Sequence, residues 1–175
     1  MAQHVANAPG FKLPADLYER DYYTWAMDQA RALRARSAAT LDWENLAEEV
    51  EGLARSEARE LESRLEVLFA HLLKWRQPKR RSRSWRLTIR EQRQRVARVM
   101  SQNPGLKRTL GESVTAAYAL ARLLACRESG LAERTLPSRS PWTFEQLMDA
   151  EFWPSPDAPS SQSVAGRLRS NRYRQ

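Results

Sequence analysis

The sequence predicts an all-α protein, a compact helical bundle of about four main helices followed by a short C-terminal helix. Apolar residues recur three and four positions apart in four segments, which is the spacing of one helix face. Residues that favour helix starts precede these segments, and glycine or proline tends to follow them. No segment shows the convincing alternation of apolar and polar residues that indicates a strand, so helices should form the whole core.

The first helix is expected to begin near Asp16 and to end near Arg36, after a loose leader of residues 1–13. Asp16 and Glu19 have the spacing of a capping box, and basic residues suit the C-terminal end of the helix dipole. A short link through Thr40 leads to the next helix. The first two helices should therefore form an antiparallel hairpin.

The longest helix is predicted from Asp42 to Trp75, with Asp42 as its N-cap. One broad face of this helix is apolar along its whole length, and we expect that face to be buried. Gly52 costs about 1 kcal/mol relative to alanine in a helix interior, which favours a bend there, although the apolar register continues past it. The residues of the predicted buried face are Trp43, Leu46, Ala47, Val50, Leu53, Ala54, Leu61, Leu65, Leu68, Leu72 and Trp75.

A third helix should follow a break at Pro78, because proline has no N–H to donate inside a helix. Ser82 or Ser84 can cap this helix, which is expected to run to about Met100. Its apolar residues again keep helical spacing. The residues predicted to face inward are Trp85, Ile89, Val96, Val99 and Met100.

The fourth helix and the short closing helix have clear boundary signals. Asn103 and Pro104 offer an N-cap and a first-turn proline, and Gly130 suits the left-handed position after a helix end. Thr143 and Gln146 have the spacing of a second capping box, which should open the closing helix. That helix is expected to end against the proline at position 154.

Residues 14–154 are expected to form one helical domain. Residues 155–175 are rich in proline and serine and then basic, which predicts disorder. No run reaches the roughly 18 to 20 apolar residues that a membrane span needs, and the N-terminus lacks the features of a secretory signal. The single Cys126 cannot form an intramolecular disulfide, which fits a reducing compartment. We therefore expect a cytoplasmic protein without membrane insertion.

Charge is strongly segregated along this chain, whose net charge is +8. Residues 42–66 contain nine acidic residues and three arginines, a net of −6, whereas residues 74–98 contain eleven basic residues and one glutamate, a net of +10. Arginine binds phosphate through two parallel hydrogen bonds, so the basic segment predicts a surface for nucleic acid, an acidic protein partner or another anionic surface. The candidate anion-binding residues are Lys79, Arg80, Arg81, Arg83, Arg86 and Arg90.

A second interpretation of the same segregation requires no ligand. The basic third helix would pack beside the acidic second helix, and the two faces would largely neutralise each other. No recognised nucleic-acid-binding motif is present to decide between the two interpretations.

A polar line interrupts the predicted buried face of the long helix: Glu57, Arg64 and His71 are seven residues apart. Neighbours on this line are about 10.5 Å apart, so each should find its partner on another helix. One interpretation is a buried network that fixes helix register. The other is a small enzyme for an anionic substrate, in which His71 acts with Glu57 as general base or metal ligand. No motif for a metal, a cofactor or a nucleophile is present, so neither a metal site nor a cofactor is predicted.

Five stretches of the sequence resemble a known family when taken together and in order. The stretches are YERDYYTWA from Tyr18, LDWENLAEEVEGL from Leu41, HLLKW from His71, RRSRSW followed by TIREQR from Arg80, and WTFEQLMDAEFWP from Trp142. They resemble the domain of unknown function family numbered 29, over about residues 17–154. The resemblance implies a bacterial helical protein and carries no assigned activity or catalytic residue. The residues themselves favour a non-enzymatic binding module over an enzyme.

Overall fold

Most of the described chain is helical. The structure is a computed structural model that describes residues 16–77 and 81–155, and this part of the chain contains no strand. The prediction of an all-α fold with four main helices and a short C-terminal helix is confirmed. The α-helices are α1 (Leu17–Arg20), α2 (Tyr22–Arg34), α3 (Trp43–Trp75), α4 (Arg83–Gln102), α5 (Leu110–Ser129) and α6 (Phe144–Met148).

Contacts divide the chain into two compact units, Met1–Arg55 and Ser56–Gln175. The expectation of a single domain over residues 14–154 stays a prediction. The expected leader and the expected tail lie outside the described residues, apart from residue 155. Among the described helices, none is both long enough and apolar enough to cross a membrane.

In the first unit, α1 and α2 are separated at Asp21 instead of forming one helix. The Asp21 carboxylate accepts a hydrogen bond from the Thr24 backbone N–H at 3.0 Å and caps α2. The predicted cap Asp16 makes no capping bond and pairs with Arg20 instead. The predicted helix start near Asp16 is confirmed, since α1 begins at Leu17. The prediction of one continuous helix to Arg36 is wrong, because Asp21 bonds its own downstream backbone and ends the first turn. α2 ends at Arg34, two residues before the expected end.

Polar contacts in the first unit hold α2 against the start of α3. The Trp25 indole N–H donates to the Asp42 carboxylate at 3.0 Å, and the Asp42 backbone N–H donates to the Gln29 side-chain oxygen at 2.8 Å. Nearer the N-terminus, the Tyr22 hydroxyl donates to Glu49 at 2.9 Å. Residues early in α2 thus contact residues later in α3. The two helices run antiparallel, as the sequence predicts.

α3 is continuous through Gly52, but only part of its apolar face is buried. In its N-terminal half, Trp43, Val50 and Leu53 are 62%, 65% and 69% exposed, and full burial begins at Leu61. The prediction that the face is buried along its whole length is wrong. In the first unit, the polar contacts described above join α2 to α3, and no residue of α3 in this unit is fully buried.

The hydrophobic core of the second unit surrounds the C-terminal half of α3. Nearly all residues from Leu68 to Lys74 are buried, so this part of α3 is enclosed on most sides. α4, α5 and α6 supply the remaining walls. Core residues without exposed surface include Leu61, Leu65, Leu68, Phe69, Leu72, Leu73, Ile89, Val96, Ala121, Ala125 and Leu147.

Local signals set most helix boundaries in the second unit. Ser82 caps α4, Gly130 follows α5 with φ 69°, and the capping box of Thr143 and Gln146 opens α6. These predictions are confirmed. Pro104 does not begin the fourth main helix: it opens a separate 3-10 helix, Pro104–Arg108, and α5 begins only at Leu110.

Candidate anion-binding site

A row of exposed arginines lies along the N-terminal half of α4. Arg83, Arg86 and Arg90 are spaced three and four residues apart, which places them on one side of the helix. All three side chains are exposed. The core side of the same helix carries the buried Ile89, so a packed element positions the arginines. We call Arg83, Arg86 and Arg90 the basic stripe.

No member of the basic stripe has an ion-pair partner within residues 16–77 and 81–155. In the second unit, three acidic residues of α3 bond to other groups instead of to α4 arginines. These contacts join Glu57 to Asn103 at 2.7 Å, Glu60 to Arg64 at 2.8 Å and Glu62 to Ser113 at 3.1 Å. The second interpretation of the charge pattern was that the acidic helix neutralises the basic helix. No ion pair between α4 and this part of α3 supports it.

The remaining predicted anion-binding residues precede α4. Arg81 is exposed, donates from Nε to the Trp75 carbonyl at 2.9 Å, and places its guanidinium 5.4 Å from the centre of the Trp75 ring. Lys79 and Arg80 lie outside the described residues. Arg81 therefore connects the start of α4 to the end of α3, and its free N–H groups can still reach a ligand.

Arg93 is the only α4 arginine within the described residues that is buried, with 6% of its surface exposed. It donates from Nε to the Leu147 carbonyl at 2.7 Å, from Nη1 to the Ala150 carbonyl at 3.2 Å and from Nη2 to the Phe152 carbonyl at 2.7 Å. Its guanidinium also lies 5.4 Å from the centre of the Trp153 ring. Burial lowers the pKa of Arg93. Arg93 thereby fixes the chain that follows α6 along the side of α4.

A pocket opens between α4 and this C-terminal chain. Its volume is about 560 Å³. Two members of the basic stripe, Arg86 and Arg90, line the pocket together with Arg93, and Glu151 supplies the one carboxylate of the lining. The other lining residues are Gln94, Ala97, Met148, Ala150 and Trp153. The pocket thus combines three cationic groups with an apolar wall that includes an indole ring.

The predicted polar line of α3 does not form a site. Glu57 is exposed, which corrects the expectation that it faces inward, and Arg64 pairs with Glu60 on its own helix instead of with another helix. His71 donates from Nδ1 to the Val67 carbonyl at 2.9 Å. Glu57 and His71 are fourteen residues apart, about 21 Å along a helix, so they cannot act on one small substrate.

His71 belongs instead to a small buried cluster around Lys74, which is 2% exposed. The Lys74 ammonium donates to Glu128 at 2.5 Å and to His71 Nε2 at 3.3 Å, and it lies 4.8 Å from the centre of the Trp85 ring. Burial lowers the pKa of His71, and the Lys74 hydrogen bond lowers the pKa of Glu128. The buried Lys74 ammonium thus has three partners: a carboxylate, an imidazole nitrogen and an aromatic ring.

Sequence reasoning missed the burial of Lys74 and Arg93. Arg93 lies four residues after Ile89 and three before Val96, so its helical position already marked it as part of the core side. The sequence pattern did not indicate the burial of Lys74, because that burial depends on Trp85 and Glu128, which belong to other helices.

The fold and the site define an all-α protein with an arginine-lined pocket beside α4. The chain belongs to the family described as Domain of unknown function DUF29, whose profile matches residues 17–153. No match was found among curated proteins, and none among solved structures. Within the described ranges, no group of three or more histidine, cysteine, aspartate or glutamate side chains is placed to hold a metal ion.

Proposed function

We propose that this chain is a nucleic-acid-binding module and that the basic stripe of α4 binds the phosphates. The observation that carries the proposal is that Arg83, Arg86 and Arg90 are exposed on one side of one helix, without an ion-pair partner among the described residues. Guanidinium groups bind phosphate oxygens through pairs of charge-assisted hydrogen bonds. A row of such groups therefore suits a ligand whose phosphates also form a row.

Two further features support a polyanion over an isolated anion. The chain has a net charge of +8, which attracts polyanions over a distance and not only at the contact. Exposed Arg81 lies two residues before the basic stripe in sequence, and Lys79 and Arg80 precede it directly. Because phosphate contacts read no bases, we expect little sequence preference.

The test is fluorescence anisotropy of labelled random single-stranded RNA and of duplex DNA, each titrated with the protein at several salt concentrations. The test variant replaces Arg83, Arg86 and Arg90 with serine. We expect at least a tenfold loss of affinity at about 50 mM salt. The slope of the logarithm of affinity against the logarithm of salt concentration should also become shallower by about two to three, because three phosphate contacts are lost.

A matched control variant replaces Arg34, Arg59 and Arg98 with serine. These arginines are also exposed, lie outside the basic stripe and have no ion pair among the described residues, so the net charge changes equally. We expect the control to lose much less affinity than the stripe variant. Equal losses would contradict a localised binding site, and failure of the folded wild-type protein to bind either nucleic acid at moderate salt would contradict the proposal.

A further inference from the structure

We propose that the pocket between α4 and the C-terminal chain is a subsite for one nucleotide, with its phosphate at Arg86 and Arg90 and its base against Trp153. This inference builds on the proposed function, because Arg86 and Arg90 belong to both the basic stripe and the pocket. It goes further by assigning a binding place to the base as well as to the phosphate.

The size of the pocket fits a ligand of this class. Small-molecule pockets commonly have volumes of about 300 to 1,000 Å³, and this pocket has about 560 Å³. A single phosphate would leave most of that volume to water. The pocket therefore favours a larger ligand that carries an anionic group.

Charge in the pocket is unbalanced. Three arginines face one carboxylate, that of Glu151, and neither Arg86 nor Arg90 has an ion-pair partner among the described residues. Arg93 is buried and bonded to backbone carbonyls, and the nearby Asp149 and Glu151 carboxylates offset part of its charge without forming an ion pair with it. An anion in the pocket would compensate this excess positive charge.

Another part of the lining is apolar and includes a flat ring. Trp153, Met148, Ala97 and Ala150 line the pocket beside the arginines. Two neighbours position the Trp153 ring: the Arg93 guanidinium lies 5.4 Å from its centre, and the centre of the Trp75 ring lies 4.8 Å from it. Stacking of a base on an aromatic side chain contributes about 1–3 kcal/mol by alanine substitution and tolerates every base. A ligand with both a phosphate and a base can use both parts of the lining.

The experiment is an NMR titration of isotope-labelled full-length protein with three probes: adenosine monophosphate, adenosine and inorganic phosphate. We expect the monophosphate to bind most tightly and to shift the indole signal of Trp153, which a Trp153→Phe variant assigns. Arg90→Ser should weaken monophosphate binding about tenfold or more, since a charge-assisted contact is lost. The matched control is Arg98→Ser, which removes an exposed arginine of the same helix that lies outside the pocket.

A second variant blocks the space without changing charge. Ala97 is exposed and lines the pocket, so Ala97→Phe should fill it and abolish monophosphate binding while leaving the protein folded. Equal affinity for the monophosphate and inorganic phosphate would overturn the inference, as would unchanged monophosphate binding by Ala97→Phe.

The same preparations separate the two proposals. If RNA binds the wild-type protein through the basic stripe but the monophosphate does not bind, the nucleotide subsite is overturned and the proposed function stands. If the monophosphate binds and Ala97→Phe removes that binding, but neither RNA nor DNA binds, the subsite is supported and the proposed function fails.

Discussion

Lys74 is the most deeply buried charged residue in the described part of the chain. Its ammonium depends on Glu128, whose side chain is 40% exposed, and on the Trp85 ring. A buried cation without its carboxylate costs far more than a buried apolar side chain of similar volume. The two partners of this ion pair should therefore respond differently to substitution.

We expect Glu128→Gln to lower the free energy of unfolding by about 1–3 kcal/mol, because it leaves the Lys74 ammonium buried without a counter-charge. Lys74→Met should cost less than about 1.5 kcal/mol, since it keeps the volume of the side chain and leaves Glu128 partly hydrated. Urea unfolding of both variants at neutral pH measures the difference. A Lys74→Met variant less stable than Glu128→Gln would contradict this account of the cluster.

His71 should make stability depend on pH. Burial lowers its pKa below the ordinary value of 6.5, and the neighbouring Lys74 ammonium lowers it further, whereas the hydrogen bond to the Val67 carbonyl and the Glu128 carboxylate oppose the shift. The unfolded chain therefore binds a proton near 6.5 that the folded chain does not yet bind. The free energy of unfolding is highest above this value and falls as the pH decreases from about 7.5 towards 5.

The variant that tests this prediction is His71→Gln, which keeps a hydrogen-bond acceptor for Lys74 without a titrating ring. We expect urea midpoints of the wild-type protein to decrease between about pH 7.5 and about pH 5, and those of the variant to change less. His4, the other histidine in the sequence, is present in both proteins. An unchanged pH dependence in the variant would show that His71 is not the group responsible.

At the scale of elements, one side chain attaches a segment that has little regular structure. α6 has only five residues, and the chain after it forms only a turn at residues 150–151, yet Leu147 and Trp142 are buried. The three carbonyls that Arg93 binds lie along this segment. The N–H donors of one guanidinium therefore hold this segment in position, together with the segment's own buried apolar residues.

Arg93→Met should lower the free energy of unfolding by about 3 kcal/mol or more, because three carbonyls lose a charged donor at once. Arg93→Lys should recover less than half of this loss, since one ammonium cannot reach all three carbonyls. Urea unfolding and limited proteolysis between residues 149 and 155 measure both effects. Arg95→Ser, which breaks only an exposed pair with Glu91, should change stability by about 0.5 kcal/mol or less.

For the whole molecule, excess positive charge should oppose folding. The net charge is +8, and most ion pairs in the described residues join positions three or four apart on exposed helix surfaces, where they contribute little. Salt screens repulsion among exposed like charges. Salt should therefore stabilise the fold while it weakens the binding of a polyanion.

We expect the free energy of unfolding to rise by about 0.5–1 kcal/mol between about 20 mM and about 200 mM sodium chloride. The variant with serine at positions 83, 86 and 90 has a net charge of +5, since three charges are removed from +8, and its increase should be smaller. Urea unfolding at each salt concentration measures both values. A wild-type protein that loses stability with salt would indicate that attractive pairs dominate.

The sequence by itself determined the helices and most of their ends. Ser82, Gly130 and the pair Thr143 and Gln146 act on backbone groups within a few residues, so a local pattern suffices to predict them. The interruption at Asp21 belongs to the same scale, because Asp21 ends the helix that starts after Asp16 and caps a second helix five residues later. The position of the basic stripe on one side of α4 likewise follows from helical periodicity.

Only the tertiary structure decided which faces are covered and which charges are buried. The apolar face of α3 is equally regular in both halves, yet it is exposed at Val50 and buried at Leu61. The pocket exists because Arg93 binds a segment that lies 54 to 59 positions after it in the chain, from Leu147 to Phe152. Helical periodicity reports which residues share a face, whereas burial depends on what lies opposite, and that is set by contacts between distant segments.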